Sequence, residues 1–244
     1  MGWTRRKYGL TIDNLLAVDM VTADGVFRRA SETENPDLFW AVRGGGGNFG
    51  VVTNFHFKLH PLGPIVYFAA PVYAMEDAKE VNRKWRDFCK NAPDEISSFA
   101  LHQTLPAADA FPEHVHDKQV VVMPTVYVGS VEDGEKALAP LRELGTPVLD
   151  LSGPIPFRVL QGLFDWIFPV GNRYYWKTVS APELTDEAID TVVDIASNRS
   201  SPGTVVGIWQ MGGAISRVAD DATGYGPRSA AWTLQVDSGW ADPT

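Results

Sequence analysis

A glycine-rich run from Gly44 to Gly50 constrains the fold of this chain more than any other stretch. Glycine is favoured where the backbone takes a positive φ or lies against something large and flat. The spacing of Gly45, Gly47 and Gly50 fits a dinucleotide-binding fingerprint, but that fingerprint follows a strand and opens a helix. Here a short helix is predicted before the glycines and a strand after them. The run therefore predicts an ordered loop with exposed backbone amides, which is typical of a site that binds an anion or a planar ring. It excludes the dinucleotide-binding turn of a Rossmann fold.

The segments on both sides of the glycines have clear local signals. Asn35 can cap a helix, Pro36 suits the first helical position and Asp37 favours the positive end of the helix. After the loop, apolar and polar residues alternate from 51 to 60, which is the period of a half-buried strand. A flexible linker and a disordered RNA-binding segment are the alternatives for such a run. The patterned flanks argue against both.

Breaks in the pattern predict two domains. An Asp24-Gly25 turn joins two β-rich runs, and Pro61 and Pro64 then interrupt the chain. We place the boundary there, between residues 1–62 and residues 63–244. From residue 65 onward, strand-like runs alternate with amphipathic helices, which predicts an α+β domain with a large, mainly antiparallel sheet covered by helices. The predicted strands are 65–73, 119–128, 174–179, 205–211 and 230–236, and the predicted helices are about 78–89, 132–144, 157–164 and 186–196.

Charge and composition exclude several classes of partner. The net charge of −9 disfavours a nucleic-acid binder, whose affinity comes from neutralising phosphates. The sequence shows neither an apolar stretch long enough to span a membrane nor a signal peptide, so we expect a soluble, cytoplasmic protein. The single cysteine, Cys89, excludes an internal disulfide and is predicted to be buried on a helix face. His114 and His116 have a spacing seen in metal sites, but without a third ligand we predict no metal.

Several separated blocks resemble the berberine-bridge-enzyme-like family of FAD-linked oxidases. The blocks are Gly9–Leu16, Val21–Gly25, Asp37–Arg43 with the glycine loop, Tyr174–Lys177, Leu184–Ile189 and Gly212–Val218. The first three resemble the second half of the family's PCMH-type FAD-binding domain, and the others resemble its substrate domain. The resemblance implies a partial FAD-binding lobe followed by a substrate domain whose open sheet face covers the flavin.

The resemblance also implies an activity and a set of site residues. It implies FAD-dependent oxidation of an alcohol, a sugar or a phenolic or alkaloid-type substrate, with hydride transfer to the flavin and oxygen as the acceptor. The implied cofactor-binding residues are Gly2, Gly9, Leu10, Asp13, Asn14, Gly46, Gly47, Asn48, Phe49, Gly50, Val51 and Val52. The candidate residues of the substrate pocket are Tyr175, Trp176, Trp209 and Gln210. Alternation along a strand lets either Tyr175 alone or Tyr174 with Trp176 face the flavin, and core packing is the alternative for these aromatics.

This sequence departs from the family in two respects. Family members carry a His and a Cys that bond the flavin, and a catalytic Tyr or Glu, in segments that this sequence does not match. We therefore assign no catalytic residue and expect the chain alone to be inactive, with FAD absent or weakly bound. The alternatives are a flavin-free binding or scaffold protein and one subunit of a split oxidase, with a complementing FAD lobe or self-association as the partner besides a small-molecule substrate.

Overall fold

A computed structural model describes residues 2–226 and 228–241. The chain forms two compact units, one from Met1–Pro61 with Met211–Ala230 and the other from Leu62–Gln210 with Ala231–Thr244. The first division falls within a residue of the boundary expected from the prolines. The segment Met211–Ala230, which we expected in the second domain, belongs to the first unit instead.

The first unit contains a three-stranded sheet. Its elements are α1 (Arg5–Tyr8), β1 (Leu15–Val21), β2 (Phe27–Ser31), α2 (Pro36–Val42) and β3 (Val51–Phe57). The strands pair antiparallel in the order β2-β1-β3. The Asp24-Gly25 turn joins β1 to β2, with Gly25 at a φ of 76°. Helix α2 begins at Pro36 as predicted, but Asn35 does not cap it, because its side-chain amide donates to the carbonyl of Arg29 at 2.7 Å.

The second unit is built on a large antiparallel sheet. Its strands are β4 (Ile65–Ala69), β5 (Pro71–Ala74), β6 (Ile96–Thr104), β7 (Gln119–Val122), β8 (Thr125–Tyr127), β9 (Leu149–Asp150), β10 (Gly153–Pro156), β11 (Arg173–Ala181), β12 (Val205–Gln210) and β13 (Trp232–Trp240). The main path runs β10-β4-β8-β6-β12-β13-β11, and β7 joins β5 to β6 beside it. The predicted fold class is confirmed.

Helices in the second unit follow their sequence signals closely. They are α3 (Ala78–Lys90), α4 (Val131–Leu138), α5 (Phe157–Gly162) and α6 (Asp186–Ser197). Thr185 caps α6 by accepting the N–H of Ala188 at 3.2 Å. Helix α4 ends earlier than predicted, because Pro140 cannot continue it and the chain goes on as a 3-10 helix. No helix in the described part of the chain is long and apolar enough to cross a membrane.

The core of the second unit lies between the sheet and helices α3 and α6. Trp85 of α3 packs edge-on against Trp232 of β13, and Cys89 is buried beside them as predicted. On β6, Ile96 and Ala100 belong to this core. Successive side chains of a strand point to opposite faces, so the odd-numbered residues of β6 point away from the helices. We call that side of the sheet the far face.

Candidate functional site

The turn after α1 is held together by its own polar side chains. The N–H of Leu10 donates to the carboxylate of Asp13 at 2.8 Å, and a Cβ added at Gly9 would meet the same carboxylate. The amide of Asn14 donates to the carbonyls of Tyr8 and Leu10 at 2.8 and 3.0 Å. The polar groups of Asp13 and Asn14 therefore shape the turn itself. Gly2, the other cofactor candidate near this turn, is exposed.

Asp13 also forms a buried ion pair that the sequence analysis missed. The guanidinium of Arg228 donates to both carboxylate oxygens of Asp13 at 2.8 Å and to the hydroxyl of Thr223 at 2.8 Å. Arg228 is 2% exposed, and its backbone N–H is held by Asp220 at 2.6 Å. The pair joins positions 215 residues apart, so no local pattern could reveal it.

Within the glycine loop, three glycines are required by the surrounding backbone. Gly44 and Gly50 have φ values of 138° and 143°. A Cβ at Gly44 would overlap the backbone of Gly224 and Tyr225, and a Cβ at Gly50 would overlap the carbonyl of Val21. A Cβ at Gly45 would lie 2.6 Å from the carbonyl oxygen of Ala41. These glycines serve the internal packing of the loop.

The other two glycines, Gly46 and Gly47, face open space. A Cβ at Gly46 would come no closer than 3.7 Å to another atom, and one at Gly47 would meet nothing within 4 Å. Gly46 has a φ of 75°, whereas Gly47 does not need a positive φ. Among the described residues, the N–H groups of these two glycines have no backbone acceptor. Their amides are therefore available to an anion or to a ring with acceptor atoms.

The segment from 219 to 226 supports the glycine loop from behind. The indole of Trp40 donates to the carbonyl of Asp221 at 2.7 Å, and Gly224 returns its N–H to the carbonyl of Trp40 at 3.2 Å. Arg43 lies 4.1 Å over the ring of Phe39 and donates to the carbonyl of Ala222 at 3.1 Å. Burial lowers the pKa of Arg43, but a guanidinium keeps its charge in proteins. The loop is thus an ordered part of the first unit.

The remaining cofactor candidates adjoin the exposed glycines. The side-chain amide of Asn48 donates to the carbonyl of Gly45 at 3.0 Å and closes the turn. Phe49 and Val52 pack against the small core of the first unit, whereas Val51 is exposed. The accessible backbone at 46–48 fits a flavin nucleotide, which offers phosphate oxygens and ring acceptors to N–H groups. Cofactor binding by these residues stays a prediction.

The second unit does not bring the four predicted pocket residues together. Trp209 stacks on Phe99 at 4.4 Å, on the far face of the sheet. Trp176 lies on the same face and is 53% exposed, while Tyr175 is 58% exposed on the opposite face. Gln210 is only 2% exposed, and its amide donates to the carbonyl of Cys89 at 2.9 Å. Gln210 therefore anchors α3 to the sheet, because strand alternation turns it toward the helices.

The sequence analysis overlooked a carboxylate on the far face of the sheet. It lies on β13, between β12, which carries Trp209, and β11, which carries Trp176. Asp237 of β13 pairs with Val205 of β12 on one side and with Trp176 of β11 on the other. It is 4% exposed, and burial raises the pKa of its carboxyl group. The amide of Gln235 donates to its Oδ2. Among the described residues, no group pairs with its Oδ1.

The sequence contained a signal for this site. On β13, Thr233, Gln235 and Asp237 alternate with the apolar residues Trp232, Leu234 and Val236. The predicted strand stopped at 236, one residue short of the carboxylate. A buried acid with a raised pKa and a buried oxygen that no described group pairs with is a candidate proton-accepting group.

Each candidate histidine places its Nε2 against a backbone carbonyl. His114 contacts the carbonyl oxygen of Val148 at 3.0 Å, and His116 contacts that of Phe111 at 2.7 Å. In residues 2–226 and 228–241, no group of three or more His, Cys, Asp or Glu side chains is placed to hold a metal ion.

Comparison with known proteins confirms the resemblance seen in the sequence. An FAD-linked oxidoreductase of Dictyostelium discoideum is 30% identical over 238 residues, which is 96% of this chain and 49% of that protein. The glucooligosaccharide oxidase of Sarocladium strictum is 28% identical over 249 residues, covering 96% of this chain and 48% of that protein. The chain thus spans about half the length of the curated relatives it matches.

The fold agrees with this result. The structure of the berberine-bridge-enzyme-like protein 1 of Physcomitrella patens superposes with a TM-score of 0.79 at 21% identity, covering 99% of this chain and 53% of that one. No family model matches the chain. Its relatives and structural neighbours are thus FAD-linked oxidoreductases and berberine-bridge-enzyme-like proteins, and they cover essentially the full length of this chain.

Proposed function

We propose that this chain supplies part of an FAD-dependent oxidase that converts a substrate hydroxyl group to a carbonyl. The observation that carries the proposal is the buried carboxylate of Asp237, with one oxygen held by Gln235 and the other without a partner among the described residues. The names of the relatives, FAD-linked oxidoreductases and a glucooligosaccharide oxidase, favour the same reaction class. Oxygen is the final acceptor in this proposal.

Asp237 acts as the proton acceptor. Its Oδ1 takes the proton of the substrate hydroxyl while the hydrogen on the adjacent carbon leaves with its electron pair. Gln235 donates to Oδ2, which leaves Oδ1 as the oxygen without a described partner. Burial raises the pKa of the carboxyl group, which makes its ionised form a stronger base. FAD, when bound, supplies the acceptor for the hydride.

The first unit contributes to the cofactor site. The exposed amides of Gly46 and Gly47, with the neighbouring turn at Asn48, would hold the flavin nucleotide through the backbone. Arg228 and Asp13 would keep the Gly9–Asn14 turn in shape. We expect non-covalent and weak binding, because each lost hydrogen bond to a cofactor lowers its affinity several-fold.

Flavin reduction tests the function directly. The purified chain is saturated with added FAD under anaerobic conditions. Alcohols, sugars and phenolic alcohols are then added in turn, and loss of the flavin absorbance at about 450 nm is followed. At least one substrate should bleach the flavin, and Asp237→Asn should slow the reaction by about 100-fold or more. The control is Asp150→Asn, because Asp150 is an acid of the same unit that pairs with Arg142. Equal rates for wild type and Asp237→Asn would contradict the proposal.

One observation favours a second candidate function, in which the chain is a subunit that needs a partner. The sheet of the first unit and the residues that follow β3 leave large apolar side chains exposed: Leu16, Phe27, Val51, Phe55, Phe57 and Leu59. Exposed apolar patches of this kind mark association surfaces. We propose a complementing FAD lobe as the occupant and self-association in its absence. Light scattering checks this, since Phe55→Ser with Leu59→Ser should return an associated chain to monomers.

The predicted cytoplasmic location stays a prediction.

A further inference from the structure

An apolar cavity of about 660 Å³ lies within the second unit. Its floor is formed by far-face residues of the large sheet, among them Phe68, Ala70 and Val122. Their chain neighbours Tyr67, Ala69 and Val121 belong to the core on the helix side, so these side chains point the other way. The walls come from the loop at 105–111 and from the segment 151–166. The volume is in the range of small-molecule sites.

The lining of the cavity decides which chemistry fits it. None of the described residues that line it carries a charge, and the polar side chains are Gln103, Ser152 and the indole of Trp166. The hydroxyl of Ser152 already accepts the N–H of Ala70 at 3.0 Å. A sugar that entered the cavity would lose the hydrogen bonds between its hydroxyl groups and water and would regain few hydrogen bonds from the lining. Each hydroxyl group left unpaired would cost free energy. Oligosaccharides therefore do not fit this cavity.

Aromatic rings, in contrast, find suitable partners here. Phe111 packs edge-on against Trp166 with ring centroids 5.8 Å apart, and Phe164 packs edge-on against Phe68 at 6.4 Å. A further ring inserted among them would gain both apolar burial and edge-to-face contacts. The cavity thus favours an uncharged, ring-bearing molecule.

The cavity adjoins the Asp237 site along one row of the sheet. Gln103 of β6 lines the cavity. Val206 pairs with His102 and Val205 pairs with Asp237, which places Gln103 and Asp237 on either side of Val205. Adjacent strands lie 4.7–4.9 Å apart, so the two residues are about 10 Å apart across the far face. A bicyclic molecule with a hydroxymethyl group has a comparable length.

We infer that this cavity binds the apolar, ring-bearing part of a substrate whose hydroxyl end reaches Asp237. The inference rests on the proposed function for the role of Asp237, but not for the binding of the ring. It assigns the substrate to uncharged aryl alcohols rather than to oligosaccharides.

Titration calorimetry on the 244-residue chain without flavin tests the binding step. The probe is 2-naphthalenemethanol, and cellobiose is the sugar comparison. We expect saturable binding of the naphthalene probe and none of cellobiose. Ala110→Trp should weaken probe binding by about tenfold or more, because Ala110 lines the cavity wall. The matched control is Ala107→Trp, an exposed alanine of the same loop outside the lining, which should bind as wild type does.

Each outcome decides the question. The inference is overturned if the folded wild-type chain does not bind the naphthalene probe, if Ala110→Trp binds it as tightly as wild type, or if cellobiose binds and Ala110→Trp prevents this. Phe111→Ala gives a second readout if Ala110→Trp fails to fold, and it too should weaken binding. Probe binding without flavin reduction by the same probe would overturn the link to Asp237 and leave the ring site standing.

Discussion

Arg228 and Asp13 form a bidentate ion pair in the interior of the first unit, with both N···O distances at 2.8 Å. The side chains are almost fully buried, at 1% and 8% exposure. Asp13 also closes the turn at Leu10, and Arg228 lies 5.3 Å from the ring centroid of Tyr225. One pair therefore links the turn near the start of the chain to the segment that supports the glycine loop.

Arg228→Met should destabilise the first unit by about 3–5 kcal/mol, because it leaves the buried carboxylate of Asp13 without its counter-charge. The readout is hydrogen exchange of the backbone amides at 9–14, which reports this unit by itself. Lys136→Met is the control, since its pairing with Glu132 lies on the surface. If the double variant Arg228→Met with Asp13→Asn were no more stable than Arg228→Met, the stranded charge would not be the cause.

The glycine loop should respond differently at different positions. Gly44→Ala should unfold the loop, because the added Cβ would overlap the backbone of Tyr225. Gly46→Ala should cost roughly 1–3 kcal/mol for its positive φ. Gly47→Ala should leave the free energy of unfolding nearly unchanged and weaken FAD binding, measured by equilibrium dialysis, because the added Cβ projects into the open space beside the exposed amides. Unchanged FAD binding in Gly47→Ala would show that the cofactor does not occupy the space beside Gly47.

His102 should make stability fall in acid. Burial lowers the pKa of this ring to about 4, while its Nδ1–H donates to the carbonyl of Val206 at 2.9 Å. The unfolded chain takes up the proton near the ordinary value of 6.5, so stability is complete above that pH and is lost as the pH falls toward 4. At about 1.4 kcal/mol per pKa unit, the loss amounts to about 3 kcal/mol.

Urea midpoints at several pH values check this expectation. His102→Gln should flatten the pH dependence between pH 6.5 and 4, the unfolded and folded pKa values. His114→Gln, at the surface, should keep the wild-type dependence. A wild-type midpoint that does not change across this window would show that the buried ring is not the titrating group.

Asp237→Asn should increase stability at neutral pH while it removes activity. The raised pKa means that the folded chain binds the proton more tightly than the unfolded chain does. The contribution of the acid to stability is therefore present below its ordinary pKa of about 4 and is lost as the pH rises. The stability difference between variant and wild type should grow from acid to neutral pH. A destabilised variant would mean that Asp237 serves the fold.

The purified chain should carry no covalent flavin and show no activity without added FAD. Cys89 is buried on α3 within the second unit. His56 and His60 of the first unit contact Asp19 at 2.8 Å and Asn14 at 2.5 Å. Flavin fluorescence on a denaturing gel is the measurement. A fluorescent band at the position of the chain, or peroxide formed without added FAD, would contradict the prediction.

Local patterns predicted local structure well. β-rich runs around an Asp-Gly turn located β1 and β2, alternation located β3 and capping located α6, because these signals lie within a few residues of one another. Arg228 could not be found in this way, since its partner is distant in sequence and an isolated arginine has no periodicity. Gln210 does not lie beside Trp209 in the structure, because consecutive residues of a strand point to opposite faces of the sheet. Proline at 140 shortened α4, although the apolar spacing continued beyond it.

The return of Met211–Ala230 to the first unit has a consequence for synthesis on the ribosome. Residues up to 61 leave the ribosome well before the segment that supports their loops and neutralises Asp13. At roughly 5–20 residues per second, the delay is about 8–30 seconds. The second unit, except for its last strand, is made in that interval. The nascent first unit must therefore wait in an incomplete state, open to chaperones and proteases, until the later part of the chain emerges.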